Sequence, residues 1–147
     1  MTHQIFSYGT LAIPHVMDAL TGSIPPTVPA HVTSYASFLL KGKPYPGMCR
    51  REGVVTSGLL YLNVDEKSLR VIDAFEDDIY VRESIGVMME SGALTNAWAY
   101  LVLEEYEERL GVECWDQDVF LDKHGESYIA MCARVHDDFF HKQGWKV

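Results

Sequence analysis

Short β-like runs fill the first two-thirds of this chain, and helical periodicity fills the last third. That order constrains the fold more than any other feature. Strands that follow one another, with helices gathered towards one end, give an α+β domain. Residues 4–8 form a β-like run that stops at Gly9. Pro14 opens a short helix that ends at Gly22, because proline suits the first helical turn and glycine the position after the last. Residues 24–29 hold three prolines and read as a loop. Residues 32–40 are rich in aromatic and β-branched side chains, as a strand is. Residues 41–46 are turn-rich, and residues 54–62 alternate between apolar and small or polar positions. Strands follow at residues 80–89 and 95–103, and residues 104–108 are a charged, solvated run. Asp116 caps a short helix that closes near Gly125. Residues 126–140 form an amphipathic helix with Tyr128, Met131, Cys132, Val135 and Phe139 on its apolar side. No repeat, low-complexity stretch or linker interrupts the chain, so residues 1–147 read as one domain.

The helix expected over residues 65–77 carries the most informative position. Asn63 or Asp65 can cap it, and Leu69, Ile72 and Phe75 span one apolar sector at roughly 100° per residue. Glu76 falls inside that sector, Asp73 sits at its margin, and Asp77 and Asp78 point away. A carboxylate in an apolar face conflicts with patterning, and such conflicts mark functional sites. Burial and the negative end of the helix dipole both disfavour its charged form. Its pKa is then expected to rise towards neutrality, where one group can both take and give a proton. The competing reading is a frayed helix end, or a glutamate paired with Arg70 or Arg82.

Glycine at the end of the first strand, in Ser7-Tyr8-Gly9-Thr10-Leu11, lets successive backbone N–H groups point the same way. Such a nest holds carboxylates and oxyanions. The same stretch is also compatible with an ordinary strand-to-loop turn.

The formal net charge is −9. An acidic surface is repelled by phosphate backbones and by anionic membranes, which argues against nucleic-acid and lipid partners. Cys49, Cys114 and Cys132 are odd in number and widely spaced, with no C-x-x-C pair, so free thiols in a reducing compartment are expected. The first residues lack the basic and long apolar regions of a secretion signal, and no apolar run reaches membrane-spanning length. A cytoplasmic location follows as the default.

Together these residues resemble the γ-glutamylcyclotransferase-like (AIG2-like) family. Tyr8-Gly9-Thr10-Leu11 resembles its Y-G-[TS]-L signature, and Tyr45-Pro46-Gly47 its Tyr-Pro segment. Gly58-Leu59-Leu60-Tyr61 is similar to its G-x-[VL]-Y strand. Asp73-Ala74-Phe75-Glu76 followed by Tyr80-Val81-Arg82 resembles D-x-[YF]-E-[G]-x-x-Y-x-R, and Ala97-Trp98-Ala99-Tyr100 its x-[WF]-x-Y strand. The five pieces stand in order, and residues 115–120 resemble the family more loosely. The resemblance implies a small mixed β-barrel or curved sheet with flanking helices and a cavity at one end. It implies that Glu76 is the catalytic acid–base and that the backbone of Tyr8, Gly9, Thr10 and Leu11 holds the amino-acid end of a small γ-glutamyl substrate. The reaction would cyclise a γ-glutamyl amide to 5-oxoproline, with no metal and no cofactor. Where the family often has glycine after the glutamate, this chain has Asp77-Asp78. These charges would raise the pKa of Glu76 further if they faced the cavity, and would disfavour an anionic substrate.

Around that centre, Tyr80 and Arg82 share one strand face because they lie two apart. Arg82 can pair with Glu76, with a substrate carboxylate, or with a structural carboxylate at the barrel rim. Tyr45 can line the pocket or pack in the core. A thiol enzyme built on Cys49 beside Arg50 and Arg51 is a rival reading, since cations lower a thiol pKa. A metal site at His136, Asp137, Asp138 and His141 is weaker, because histidines five apart do not share a helix face. The remaining alternatives keep the fold. One is a non-catalytic ligand-binding member, and the other releases the amine of another γ-glutamyl product. Nothing in the sequence sets an oligomeric state.

Overall fold

The computed structural model describes residues 2–142. Strands β1 (Thr2–Ser7), β2 (Thr27–Leu39), β3 (Pro46–Asp65), β4 (Tyr80–Met89) and β5 (Leu94–Val102) close into a barrel in the order β1-β3-β2-β4-β5. β2 and β3 form a long antiparallel ladder from Thr27↔Tyr61 to Leu39↔Pro46. β4 and β5 pair antiparallel from Tyr80↔Val102 to Met88↔Leu94. Two short contacts complete the ring: β2 meets β4 at Ala30↔Met89 and His31↔Met88, and β1 runs parallel to β5 at Ile5↔Trp98. The parallel pair makes the sheet mixed, in agreement with the α+β expectation.

Period-two alternation divides the strand residues between two cores. Phe6, Ala30, Val32, Met48, Leu60, Ile85, Val87, Ala97, Ala99 and Leu101 come from all five strands and fill the barrel. Their neighbours Ile5, Tyr61 and Tyr100 face the other way, onto helices. Those helices are α1 (Pro14–Thr21), α2 (Glu66–Phe75) and α4 (Glu126–Lys142), which bring Val16, Met17, Leu20, Leu69, Ile72 and Cys132 to this outer core. Asp65 caps α2 by accepting from the Ser68 N–H at 2.7 Å. The short α3 (Gln117–Phe120) is capped by Asp116, which accepts from Val119 N–H at 3.1 Å.

Several boundaries differ from the sequence expectation, each for a physical reason. The proline-rich stretch enters β2 at Thr27, and Pro29 is tolerated because β2 meets β4 over only two residue pairs. β3 starts at Pro46 rather than near residue 54, because Arg50, Arg51, Glu52 and Gly53 are exposed and blur the alternation. Opposite them β2 is bulged between Thr33 and Tyr35, with Ser34 at φ 67°. Gly125 does not end a helix. It lies buried in a π-helical turn (Leu121–Gly125) that joins α3 directly to α4. Residues 104–109 form a 3-10 turn with no buried side chain, consistent with a solvated run. Among the described residues no helix is long and apolar enough to cross a membrane.

Candidate active site

A cavity of about 660 Å³ opens at the end of the barrel where β1 finishes and β3 begins. Four segments and two strand tyrosines build it. The end of β1 and the turn after it supply residues 6–11, and the loop before β3 supplies Pro44, Tyr45 and Pro46. The C-terminus of α2 and its tail supply residues 74–78. Tyr80 and Tyr100 enter from β4 and β5, and Tyr128, Met131 and Val135 from α4.

Glu76 is held by helix termination. Its N–H donates to Ile72 O at 3.0 Å, closing the last turn of α2, while its ψ of 141° turns the chain outward. The carboxylate lines the cavity, and burial pushes its pKa up to about 8, helped by the charges of Asp73 and Asp77. Because the helix stops at Phe75, the expectation that Asp77 and Asp78 point away does not hold. Both line the cavity. The Asp78 N–H donates to Asp77 Oδ1 at 2.7 Å and fixes that turn.

Five tyrosines surround the carboxylate: Tyr8, Tyr45, Tyr80, Tyr100 and Tyr128. Burial raises the pKa of each, and the charge of Glu76 contributes in every case. They remain neutral hydroxyls, and their hydrogen bonds lock the walls. Tyr8 donates to Tyr100 O at 2.5 Å, and Tyr80 donates to Pro46 O at 2.7 Å. Tyr128 and Thr10 share a hydrogen bond of 3.1 Å. Tyr100 donates to Asp73 Oδ1 at 2.5 Å.

The turn after β1 is a 3-10 helix (Thr10–Ala12), in which Gly9 O and Thr10 O accept from Ala12 and Ile13 at 2.9 and 3.1 Å. The leading N–H groups of such a turn have no partner inside it. Gly9 is required by packing: a Cβ there would lie 2.9 Å from Pro46 Cγ, so the glycine lets this turn sit on the Tyr45-Pro46 loop. Underneath, the Tyr61 hydroxyl, buried and with its pKa pushed up to about 12 by that burial, donates to Leu11 O at 2.5 Å. Removing it strands a buried carbonyl. Tyr61→Phe is therefore expected to lower stability by about 1–3 kcal/mol in denaturant titration.

Tyr8, Gly9, Thr10, Leu11, Tyr45, Glu76 and Tyr80 are thus brought together, and Arg82 is not among them. Its Nε donates to Asp73 Oδ1 at 2.9 Å, and its guanidinium stacks 4.2 Å from the Trp98 ring centre. Of the readings open in the sequence, the rim ion pair is the one observed. Cys49, Cys114 and Cys132 are free. Burial and Glu107 raise the Cys49 pKa against the lowering effect of Arg51, so its neighbours do not create a reactive thiolate. His136 Nδ1 donates to Leu20 O at 2.9 Å, and among the described residues no group of three or more His, Cys, Asp or Glu is arranged to hold a metal. Lining residues without an expected role include Phe6, Pro44, Tyr100, Tyr128, Met131 and Val135. The last three occupy one apolar stripe of α4, a pattern that reads equally well as core.

The sequence matches the family model described as gamma-glutamyl cyclotransferase, AIG2-like, over residues 5–117. The chain belongs to that family. AIG2-like protein D of Arabidopsis thaliana is 27% identical over 142 residues, covering 92% of this chain and 90% of its own. A solution structure of another Arabidopsis thaliana protein superposes with a TM-score of 0.69 at 23% identity, covering 98% of this chain and 87% of that one. The crystal structure of an AIG2-like protein from Mus musculus gives a TM-score of 0.59 at 25% identity, over 78% and 88% of the two chains. The AIG2-like match begins in β1 and runs past the end of β5 to the start of α3, so it includes the glycine turn, the Tyr-Pro loop and Glu76. It stops before α4, and that helix contributes Tyr128, Met131 and Val135 to the cavity of this AIG2-like chain.

Proposed function

We propose that the protein is a γ-glutamyl cyclotransferase that converts a γ-glutamyl amide to 5-oxoproline and a free amine, with Glu76 as the only general acid–base. The observation that carries this reading is the Glu76 carboxyl lining a cavity whose other wall is the glycine turn after β1, where burial pushes its pKa up to about 8.

A γ-glutamyl amide carries its own nucleophile. The α-amine attacks the γ-carbonyl carbon, a C–N bond forms, and the five-membered lactam closes as the original amide C–N bond breaks. Folding the substrate supplies proximity, on the order of 10⁵ M effective molarity or more in good cases. Proton traffic remains. The α-ammonium nitrogen loses two protons on its way to the lactam N–H; Glu76 takes them one at a time and passes them to the leaving nitrogen, which departs as an ammonium, so atoms and charge balance without water, metal or enzyme nucleophile. The N–H groups at Thr10 and Leu11 can hold the α-carboxylate or the developing oxyanion.

The direct test is 5-oxoproline release from γ-glutamyl dipeptides, glutathione and γ-glutamyl amines. Turnover of at least one supports the reading. Turnover of none leaves the fold and removes the activity, in favour of a ligand-binding member of the family.

The pH profile gives a second check. A base that titrates near 8 in the free enzyme makes kcat/KM rise about tenfold per pH unit and level off near pH 8. A substrate ammonium beside Glu76 favours the carboxylate, so the limb of kcat lies at lower pH. Superimposable flat profiles between pH 6 and 9 would remove Glu76 from the chemistry.

A further inference from the structure

We infer that Ser7 is a second catalytic residue, whose hydroxyl donates a hydrogen bond to the γ-carbonyl oxygen of the substrate as that oxygen takes up negative charge. The assignment rests on the cyclotransferase reading of the same cavity.

Ser7 is the last residue of β1 and lines the cavity. Strand alternation fixes its direction. Phe6 points into the barrel, whereas Ile5 points to the outer core beneath the helices, and Ser7 shares the face of Ile5. On that face β1 runs parallel to β5 at Ile5↔Trp98, so two residues further on Ser7 comes beside Tyr100. Tyr100 lines the cavity, and the charge of Glu76 acts on its hydroxyl. The Ser7 side chain therefore lies in the stretch of wall that borders the carboxyl group. It is 4% exposed, and its Oγ has no hydrogen-bond partner among the described residues. A buried hydroxyl without a partner costs stability, and native structures keep few of them.

The other hydroxyls of the wall have their protons engaged. Tyr8 donates to Tyr100 O, Tyr80 to Pro46 O and Tyr100 to Asp73 Oδ1. Burial raises the Tyr45 pKa first, and the charge and hydrogen bond of Asp77 add to it, so Tyr45 points its proton at Asp77. Thr10 and Tyr128 share one hydrogen bond, which uses one of their two protons. A hydroxyl whose proton is engaged offers a ligand only lone pairs. The Ser7 proton has no protein acceptor among the described residues, so it is the one set to meet a substrate oxygen.

The glutamyl part of a γ-glutamyl amide has two acceptor groups, the α-carboxylate and the γ-carbonyl. The carboxylate is fully charged from the start, and one neutral hydroxyl in a buried wall does not offset its desolvation. The leading N–H groups of the Thr10–Ala12 turn suit it better. The γ-carbonyl is neutral in the bound substrate. When the α-amine attacks, the new C–N bond forms and the π pair moves to oxygen. When the leaving nitrogen departs, that pair re-forms the C=O bond. Ser7 keeps its proton throughout and stabilises the oxygen in between. A donor that starts without a partner breaks no bond to do so.

The test uses Ser7→Ala in the full chain. The substitution removes an unpaired buried polar atom, so Tm should equal or exceed that of wild type. With a γ-glutamyl amide that the wild type turns over, kcat should fall about 10²-fold while KM changes by less than about threefold. Two small rings give a readout free of turnover. 5-Oxoproline retains the γ-carbonyl oxygen, and proline has the same ring and carboxylate without it. Ser7→Ala should weaken 5-oxoproline binding about three- to tenfold in calorimetry and leave proline binding unchanged. Equal weakening of both rings, which would put Ser7 on the carboxylate, overturns the inference. So does a kcat within about threefold of wild type. If the wild type turns over nothing but the contrast between the rings holds, the cyclotransferase reading fails and Ser7 remains the carbonyl donor. If turnover occurs and the substitution changes neither kcat nor ring binding, the reading stands and the inference fails. A wild type that binds neither ring and turns over nothing removes both.

Discussion

Glu76→Gln is expected to lower 5-oxoproline release by about 10²–10⁴-fold while making the folded protein more stable at neutral pH. Both effects have one cause. Burial, with Asp73 and Asp77 behind it, moves the Glu76 pKa from 4.5 to about 8. Glutamine keeps the shape of the side chain and cannot accept the α-ammonium proton or return one to the leaving nitrogen. For stability, the folded state binds more protons than the unfolded chain between pH 4.5 and about 8, so stability falls as pH rises through that window. Below pH 4.5 both states are protonated and the carboxyl exerts no penalty; above pH 8 the full penalty is present. The shift bounds it at roughly 5 kcal/mol, and hydration of the cavity makes the measured figure smaller. Denaturant titrations of the two proteins should therefore converge near pH 4 and separate with rising pH, the variant being the more stable. Two outcomes sink this account: a variant that retains more than a tenth of the activity, or a stability difference that does not change with pH.

The same residue shows how far the sequence reaches. Glu76 was visible because Leu69, Ile72 and Phe75 define an apolar sector and a carboxylate falls within it. Where Asp77 and Asp78 point was not visible. A helical wheel continues indefinitely, whereas α2 ends at Phe75 and Glu76 takes an extended ψ of 141°. The glycine turn was legible as a motif, but its support was not: Tyr61 reaches Leu11 O and Pro46 packs on Gly9 across long sequence separations. Arg82 was legible as a cation two residues from Tyr80, and its choice of Asp73 depends on α2 and β4 lying side by side. Barrel closure was carried by the family resemblance, because the contacts that complete it are as small as Ile5↔Trp98 and two pairs between β2 and β4. No local pattern signals pairings that short. The role of α4 was equally hidden, since Tyr128, Met131 and Val135 follow the spacing of any helix with one buried face.

Gly58→Ala is the second large effect, and it tests the scaffold rather than the chemistry. Gly58 stands in β3 beside the Ser7↔Leu59 pair, where the last residue of β1 precedes the Tyr8-to-Leu11 turn. A Cβ at this position would come within 2.2 Å of the Ser7 carbonyl oxygen and 2.9 Å of Phe6 Cζ. The first obstacle is backbone, which cannot swing aside as a flexible side chain would. Accommodating one methyl group means prising β1 from β3 at the root of the Tyr8-to-Leu11 turn and displacing Phe6 from the barrel core. The expected loss is about 3 kcal/mol or more, a fall of roughly 10 °C in Tm, with KM for the γ-glutamyl substrate rising because the turn moves with its strand. Gly86→Ala supplies the contrast. It too is a strand glycine, in β4, and a Cβ there meets nothing within 4 Å. That variant should melt within about a degree or two of wild type, since surface substitutions free of clashes change stability by roughly 0.5 kcal/mol or less. If the two alanine variants melt together, close approach at Gly58 is not what the G-L-L-Y segment is for, and the tight joint between β1 and β3 is not what sets the geometry of the turn facing Glu76.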